Sequence, residues 1–395
     1  MLTSLALIFL LGLMLGSLFT RLKLPPLLGM LITGIILSPY ALNLLDDSIL
    51  SISTDLRQLA LVIILTRAGL ALDVSELKKV GRPAVLMCFV PALFEIAGVM
   101  LLAPLLLGVT VLEAAIMGSV IAAVSPAVVV PRMLRLIESG YGTGKGIPQL
   151  IMAGASVDDV FVIVLFTSFT GLAKGGAFSP ITFVQIPVSI VTGLVVGIGA
   201  GLCLSVLFRR LHIRDSAKVI ILLSVSFLLM ELEKLLGTVL PISGLLAVMS
   251  MSATIFKTHA ALAARLSAKF SKLWVGAEIL LFVLVGATVN LRYAWAAGAM
   301  AVLVIAGALL FRMAGVWCCL LKTVLTVKEC IFCMLAYMPK ATVQAAIGAI
   351  PLSMGLPCGQ LVLTVAVLSI LITAPLGAVS VDKSYRSLLR HSKNA

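Results

Sequence analysis

The segment Ser156-Val157-Asp158-Asp159 places two adjacent acids in the middle of a long apolar run that extends from 146 to 172. An ionisable residue at membrane depth costs roughly 2.5–3.5 kcal/mol on insertion scales, so a pair there indicates a function. Two neighbouring carboxylates in a low-dielectric site do not both ionise easily. Such a pair holds a proton or a small cation, which is the chemistry of an ion-coupled proton exchanger. The alternative is that each acid pairs with a base for packing alone.

The composition around this pair is that of a membrane protein. The 395 residues are 61% hydrophobic and 11% charged, whereas about a quarter of the residues of a soluble domain are charged. A membrane-spanning helix needs about 20 apolar residues, and the chain offers about 13 candidates, which predict an all-α polytopic fold. They are 2–20, 24–40, 56–72, 83–107, 110–131, 146–172, 181–208, 216–236, 238–256, 274–291, 294–320, 327–352 and 360–380.

The basic residues predict the orientation in the membrane. Most Lys and Arg residues follow odd-numbered spans, as Lys78, Lys79 and Lys145 do, or lie in the short basic tail 381–395, as Lys393 does. Because cytoplasmic loops carry the excess of Lys and Arg, we expect an external N-terminus and a cytoplasmic C-terminus in the plasma membrane. The same bias accounts for the net charge of +13 without nucleic acid as a partner, and the tail is expected to contact lipid headgroups.

Thirteen spans allow two inverted repeats, with spans 1–6 and 8–13 joined by the linker helix 181–208. Spans 5 and 12 then correspond, and both contain proline: Pro126 and Pro131 in the first, Pro339 in the second. Helices interrupted at matching positions of two halves are the best sequence indication of a transporter's binding site. We therefore expect crossed helices broken at these prolines. Ordinary proline kinks are the alternative.

Small-residue stripes indicate two helix-packing faces. Gly193, Gly197 and Gly201 form one in the linker helix, and Gly12 and Gly16 form another in the first span. Such stripes let helix backbones approach closely in membranes. The stripe of the first span is a predicted contact between two copies of the chain.

The two acids point in different directions because adjacent helical residues are about 100° apart. Ser156 and Asp159 are three residues apart and share a helix face. One carboxylate is expected to line an ion cavity and the other to face the broken helices, with Asp159 as the primary carrier. Ser125, at the first break, is a further candidate ligand.

Three more charges lie inside predicted spans. Glu95 and Arg312 occupy spans 4 and 11, which correspond under the repeat, and we predict that they pair and brace the core. The alternative is that Arg312 binds an aspartate directly and competes with the cation. Lys340 lies at the second break, where a cation offsets the negative end of a helix dipole. Its rival role is to carry a proton, since a buried lysine titrates near neutrality.

These residues resemble the cation/proton antiporter superfamily, the sodium/hydrogen exchangers, and most of all its NHA branch. Three stretches carry the resemblance: 123–131 (AVSPAVVVP) is similar to the first broken helix, 156–159 (SVDD) to the ion-binding acids, and 339–348 (PKATVQAAIG) to the second broken helix. The resemblance covers nearly the whole chain. It implies that Asp158 and Asp159 bind transported Na⁺, and that Glu95 and Arg312 match the buried ion pair of the branch.

The resemblance also implies a division of labour. In that family a core of helices, here 83–172 and 294–380, carries the ion by an elevator-like motion against a dimerisation scaffold, here 1–72 and 216–292. Electrogenic bacterial relatives place a lysine beside the acids on helix 11, whereas this chain has Arg312 there. Because arginine does not release its proton, an electroneutral cycle is expected.

The sequence thus predicts a homodimeric sodium (lithium)/proton antiporter that is not an enzyme and needs no cofactor. Its partners are a monovalent cation, protons and membrane lipids. A potassium/proton antiporter is the first alternative, because carboxylates do not reveal ion size. An ion channel or sensor is the second. An intramembrane aspartyl protease is disfavoured, because that chemistry needs acids from two elements sharing a proton.

Overall fold

A computed structural model describes residues 1–71, 81–174, 180–210, 213–236 and 242–391. These residues are almost entirely helical. The predicted basic residues Lys78, Lys79 and Lys393 lie outside the described residues, as does the predicted start of a span at Thr238.

The described residues form eighteen α-helices. In chain order they are α1 Leu2–Arg21, α2 Pro26–Leu37, α3 Asp47–Ser51, α4 Ser53–Leu70, α5 Arg82–Met87, α6 Val90–Leu107, α7 Val111–Ile121, α8 Pro126–Glu138, α9 Ile147–Lys174, α10 Pro180–Arg210, α11 Asp215–Leu236, α12 Gly244–Thr258, α13 Ala260–Ala287, α14 Leu291–Leu320, α15 Val327–Ala336, α16 Thr342–Ile347, α17 Ile350–Ser353 and α18 Gly359–Leu388.

The helices confirm a polytopic membrane protein. Within the described part of the chain, 8 helical segments are long and apolar enough to cross a membrane, from Leu2–Arg21 to Gly359–Leu388, and shorter apolar helices accompany them. Every predicted span overlaps at least one helix. The count of thirteen spans remains a prediction.

One span begins far from its predicted start. The predicted segment 274–291 belongs to α13, which already begins at Ala260. Its first turns carry Arg265 and Lys269, both exposed, which interrupt the apolar pattern without ending the helix. Hydropathy indicates where the apolar part of a helix begins. It does not detect the polar turns by which a helix extends beyond the apolar layer.

Two broken helices cross, as predicted. The helix α7 ends at Ile121 and α8 begins at Pro126, while α15 ends at Ala336 and α16 begins at Thr342. The intervening non-helical segments 122–125 and 337–341 meet directly, since the Ser125 N–H donates to the Pro339 carbonyl at 2.8 Å. We call them the first and the second break.

The prolines act differently from one another. Pro126 occupies the first turn of α8, where its missing N–H costs nothing, and Pro339 lies inside the second break. Pro131 was expected to break a helix as well, and this is wrong: α8 continues through it to Glu138. In membrane proteins neighbouring groups satisfy the carbonyl that an internal proline frees, so the helix persists.

The chain divides into two compact units. The first comprises the described parts of Met1–Thr54, Ser75–Val162 and Ile279–Ala395, and the second those of Asp55–Val74 and Ile163–Glu278. Every candidate site residue belongs to the first unit. The predicted division into a core (83–172, 294–380), a scaffold (1–72, 216–292) and a linker helix (181–208) remains a prediction.

The glycine stripe of α10 packs inside the second unit. A Cβ added to Gly197 would lie 2.3 Å from the Ala247 carbonyl oxygen of α12, so only glycine permits this approach. In the first unit, a Cβ on Gly12 of α1 would lie 2.7 Å from Ile279. The stripe of α1 therefore packs within the chain, whereas a contact between two copies through α1, whose other face exposes Leu10 and Met14, remains a prediction.

Close packing of α6 on α14 positions the buried charges of the first unit. Gly98 of α6 lies against Phe311, where an added Cβ would meet the ring at 2.7 Å, and Gly315 of α14 lies against Phe94. These small residues bring the two backbones together at the level of Glu95 and Arg312.

Candidate functional site

The Arg312 guanidinium is the centre of the site. Its side chain is 1% exposed, and it binds two acids at once. Nη1 donates to Glu95 Oε2 at 2.8 Å, and Nη2 donates to Asp158 Oδ2 at 3.0 Å. The structure thus brings together both contacts that the sequence offered as alternatives, the brace with Glu95 and the direct pair with an aspartate.

Arg312 also caps both broken helices. Its Nε donates to the Tyr337 carbonyl at 2.6 Å, and Nη1 donates to the Ala122 carbonyl. Tyr337 and Ala122 are the C-cap residues that directly follow α15 and α7. Helix ends leave carbonyls without partners and carry a partial negative charge, which a cation stabilises. One guanidinium therefore holds two helix ends and two carboxylates in fixed relation.

Lys340 lies in the second break, with its ammonium on Glu95. The Nζ to Oε2 distance is 2.5 Å, and both side chains are 1% exposed. The predicted role of Lys340 was to offset a helix dipole. In the structure Arg312 contacts the helix-end carbonyls, and Lys340 shares Glu95 with it. Glu95 and Asp158 supply two negative charges, and Arg312 and Lys340 supply two positive ones.

The two acids of α9 differ in their surroundings. Asp158 is fully buried, and its Oδ2 also accepts a hydrogen bond from the Val124 N–H at 2.8 Å, so this is the acid that faces the broken helices. Its Oδ1 accepts no hydrogen bond from the residues that the structure describes. Asp159 Oδ1 is likewise buried without a hydrogen bond, and no residue in the described ranges forms an ion pair with Asp159.

A third oxygen without a partner belongs to Ser125, which follows Val124 in the first break. Its side chain is 1% exposed, and its Oγ makes no hydrogen bond to the described residues. The side chain of Ser156, the other predicted ligand, lies outside the described residues. A buried oxygen without a partner costs about 1–3 kcal/mol. Carboxylate and hydroxyl oxygens are the ligands that hard cations prefer, so these atoms fit a cation better than they fit a closed core.

Two polar residues of the site were not singled out from the sequence. Gln344 of α16 donates through Nε2 to the Ala123 carbonyl at 2.9 Å and to the Ile121 carbonyl at 3.3 Å. Thr373 of α18 accepts the Lys340 N–H at 2.9 Å. Gln344 carried a signal, because it stands three residues after Ala341, the N-cap of the half-helix α16, which is a capping-box position. Thr373 carried none.

Comparison with known proteins gives one consistent result. The family model described as "Sodium/hydrogen exchanger, transmembrane" matches residues 5–382. Mouse sodium/hydrogen exchanger 9B2 is 33% identical over 400 residues, covering 96% of this chain and 72% of the relative. The human protein of the same name is 35% identical over 373 residues, covering 90% and 68%.

A solved structure shares the fold. The sodium proton antiporter MjNhaP1 from Methanocaldococcus jannaschii at pH 8 superposes with a TM-score of 0.84 at 20% identity, covering 97% of each chain. At this identity the likeness concerns the fold and does not identify the transported ion.

Proposed function

The chain belongs to the sodium/hydrogen exchanger family, and from that premise we propose that it exchanges sodium or lithium for protons across a membrane. The resemblance to the cation/proton antiporter superfamily is confirmed, and the members of this family are transporters rather than enzymes. The ion, the stoichiometry and the mode of motion are proposals that rest on the site.

Three of the buried oxygens that make no hydrogen bond to the described residues carry the proposal: Asp158 Oδ1, Asp159 Oδ1 and Ser125 Oγ. A cation would satisfy them, and so would protons on the carboxylates. Because both ligands use the same oxygens, they compete, and competition at one site couples the two flows when the site faces each side of the membrane in turn. Asp159 is the primary carrier, since no base in the described part of the chain forms an ion pair with it, whereas Asp158 pairs with Arg312.

The charges of the site favour one proton for each cation. Glu95 and Asp158 are matched by Lys340 and Arg312, and Asp159 is the acid of the site that forms no salt bridge with a described residue. Arginine stays protonated, so one exchangeable negative charge remains. Binding Na⁺ or a proton there gives the same net charge, which makes the cycle electroneutral.

The remaining parts of the proposal follow the family pattern. The contacts of Arg312 join α6, α7, α9, α14 and α15, so these helices are suited to move together as an elevator-type core. The protein acts as a homodimer in the plasma membrane, with an external N-terminus and a cytoplasmic C-terminus. A cross-link that fastens the core to the scaffold should stop exchange, whereas one within the core should not.

Proteoliposomes that report luminal pH test the exchange directly. Adding Na⁺ or Li⁺ outside wild-type vesicles should drive proton movement, and Asp159→Asn should abolish it. The variant should melt no lower than wild type, because it removes a buried acid without an ion pair. Asp47→Asn, the same change at an exposed position, should leave exchange unchanged.

The outcomes separate the candidates. Proton movement with K⁺ alone would make the protein a potassium/proton antiporter. Cation flux without proton movement would make it a channel. Wild-type exchange in Asp159→Asn would overturn the assignment of the carrier.

A further inference from the structure

We infer that the segment Tyr385–His391 is a positioning element that raises the affinity of the site for its cation. This segment, which we call the strap, is the last turn of α18 and the three residues that follow it. The inference rests on the proposed exchange and extends it to residues that touch neither ion. It follows from the place of the strap, which lies against the loop that joins two ion-binding elements.

The loop 139–146 connects the elements that supply the candidate ligands. It follows α8, whose N-cap is Ser125 of the first break, and it precedes α9, which carries Asp158 and Asp159. Four of its eight residues are glycine, and three of these have a left-handed φ of 63° to 72°. Because glycine has the widest conformational freedom of all residues, the loop by itself does not fix α8 relative to α9.

The strap supplies that restraint. The Gly142 N–H donates to the Arg390 carbonyl at 2.9 Å, and Tyr141 and His391 form an isolated antiparallel bridge. The Tyr141 ring also packs edge-on against the rings of Tyr385 and His391, at centroid distances of 5.0 and 4.9 Å. Backbone and side chains thus join the strap to the same two residues of the loop.

Leu389 extends this contact into the core. Its side chain is 5% exposed and lies against Gly142, where an added Cβ would meet Leu389 Cδ1 at 3.2 Å. It belongs to the same hydrophobic cluster as Ile147 and Ile151 of α9 and Val129 of α8. The strap therefore shares one core with both helices that flank the loop.

The loop is also held from the second broken helix. Lys145 Nζ donates to Glu329 Oε2 at 2.7 Å and to the Val324 carbonyl at 2.8 Å, at the start of α15. The strap continues α18, whose Thr373 accepts the Lys340 N–H of the second break. The same elements that contact the second break thus fix the loop between the ligands of the first break and those of α9.

The consequence concerns the binding of the cation. A cation that binds the proposed oxygens takes Ser125 Oγ from the start of α8 and Asp159 Oδ1 from α9 at the same time. Elements that are held in place before the cation arrives lower the ordering cost of binding. An aromatic pair of typical strength corresponds to about a two- to tenfold change in an equilibrium constant. Loss of the strap should therefore weaken Na⁺ binding by about that factor.

The test compares variants of the full chain in proteoliposomes. Tyr141→Ala removes both ring contacts, His391→Ala removes one, and Tyr141→Phe keeps both. For Tyr141→Ala we expect an apparent KM for Na⁺ about two- to tenfold higher than that of wild type, and a maximal rate at saturating Na⁺ within about twofold of it. His391→Ala should raise KM by a smaller factor, and Tyr141→Phe should superpose on wild type.

Two further measurements complete the test. Arg390→Ala is a matched control on the strap, because Arg390 is exposed and contributes its backbone carbonyl to the contact. It should leave KM unchanged. The stabilisation of the purified protein by Na⁺ in thermal melts should shift to higher Na⁺ concentration in Tyr141→Ala, by the same factor as KM, because a ligand stabilises the state that binds it.

A purely structural role for the strap would lower the melting temperature of Tyr141→Ala without moving KM, and that result overturns the inference. A lower maximal rate at unchanged KM overturns it as well, since the strap would then act on the motion of the core. If Tyr141→Ala does not fold, His391→Ala, at an exposed position, decides by the same criteria, and failure of both to fold overturns the inference too. The proposed function fails separately, when wild type itself shows no Na⁺-driven proton movement.

Discussion

The two broken helices begin with the same device in different surroundings. α7 starts with a capping box in which Thr110 and Glu113 bind each other's backbone N–H, and α15 starts with the same box made by Thr326 and Glu329. Glu113 is half-exposed, and no basic residue in the described ranges forms a salt bridge with it. Glu329 is 2% exposed and binds Lys145 Nζ at 2.7 Å, just ahead of the acid-bearing helix α9.

The two breaks also differ in the groups that they present. In the first, the Val124 N–H donates to Asp158, and in the second, the Lys340 ammonium donates to Glu95. The repeat thus conserves the backbone design, while the charges are distributed unequally. Under the proposed function, the first break contacts an acid of the exchanging pair, and the second break neutralises the buried Glu95 beside it.

The largest effect is expected from removing the charge that both breaks share. Arg312→Gln takes a charged donor from both Glu95 and Asp158 and from two helix-end carbonyls, so it should cost about 3–5 kcal/mol of stability. The double variant Glu95→Gln with Arg312→Gln should recover part of that loss, because contacting residues are not additive. Thermal melting of the purified protein measures both.

A matched control is Arg265→Gln, which removes a pair with Asp215 at 2.9 Å whose arginine is 57% exposed and should cost no more than about 1 kcal/mol. Strictly additive losses in the Glu95 and Arg312 variants would mean that the two residues act independently, against the geometry of the site.

The capping boxes should differ by a smaller amount. Gln closes a capping box as Glu does, so Glu113→Gln should change stability by less than about 0.5 kcal/mol. Glu329→Gln also strips Lys145 of its counter-charge and should cost about 1.5–3 kcal/mol, the range for hydrogen bonds to charged groups. Hydrogen exchange at the first turns of α7 and α15 locates the loss. Equal effects would show that Lys145 adds nothing to the cap.

Much of this site could be predicted from the sequence because charges in apolar runs are rare. The acid pair, the partnership of Glu95 with Arg312 and the broken helices at Pro126 and Pro339 each follow from a polar or helix-breaking residue where lipid excludes it. The crossing of the breaks followed from the repeat, since corresponding elements of inverted halves meet at the binding site.

The rest depends on distances that no spacing encodes. That Arg312 reaches Asp158 as well as Glu95, and that Lys340 turns to Glu95, depends on how closely α6 packs on α14. Thr373 entered the site because α18 passes the second break, and its residue type is unremarkable in a membrane helix. The predicted break at Pro131 was wrong because a proline lowers helix propensity but does not by itself end a helix.

The smallest expected effect is that of the membrane potential, which should be nil. In the proposed cycle Glu95 and Asp158 are matched by Lys340 and Arg312, so the site carries the same charge with Na⁺ on Asp159 as with a proton there. A potential then acts equally on both loaded states and cannot drive exchange. The measurement uses proteoliposomes with a potassium–valinomycin diffusion potential at equal pH on both sides, and wild type should show no uphill sodium movement.

Sodium accumulation driven by the potential alone would mean that a second proton moves. Lys340 is then the group to test, because it is the cation of the site that can release a proton, and Lys340→Gln should abolish the voltage dependence. Accumulation that persists in Lys340→Gln would instead assign the second proton to Asp158 and end the contrast between an exchanging first break and a neutralising second one.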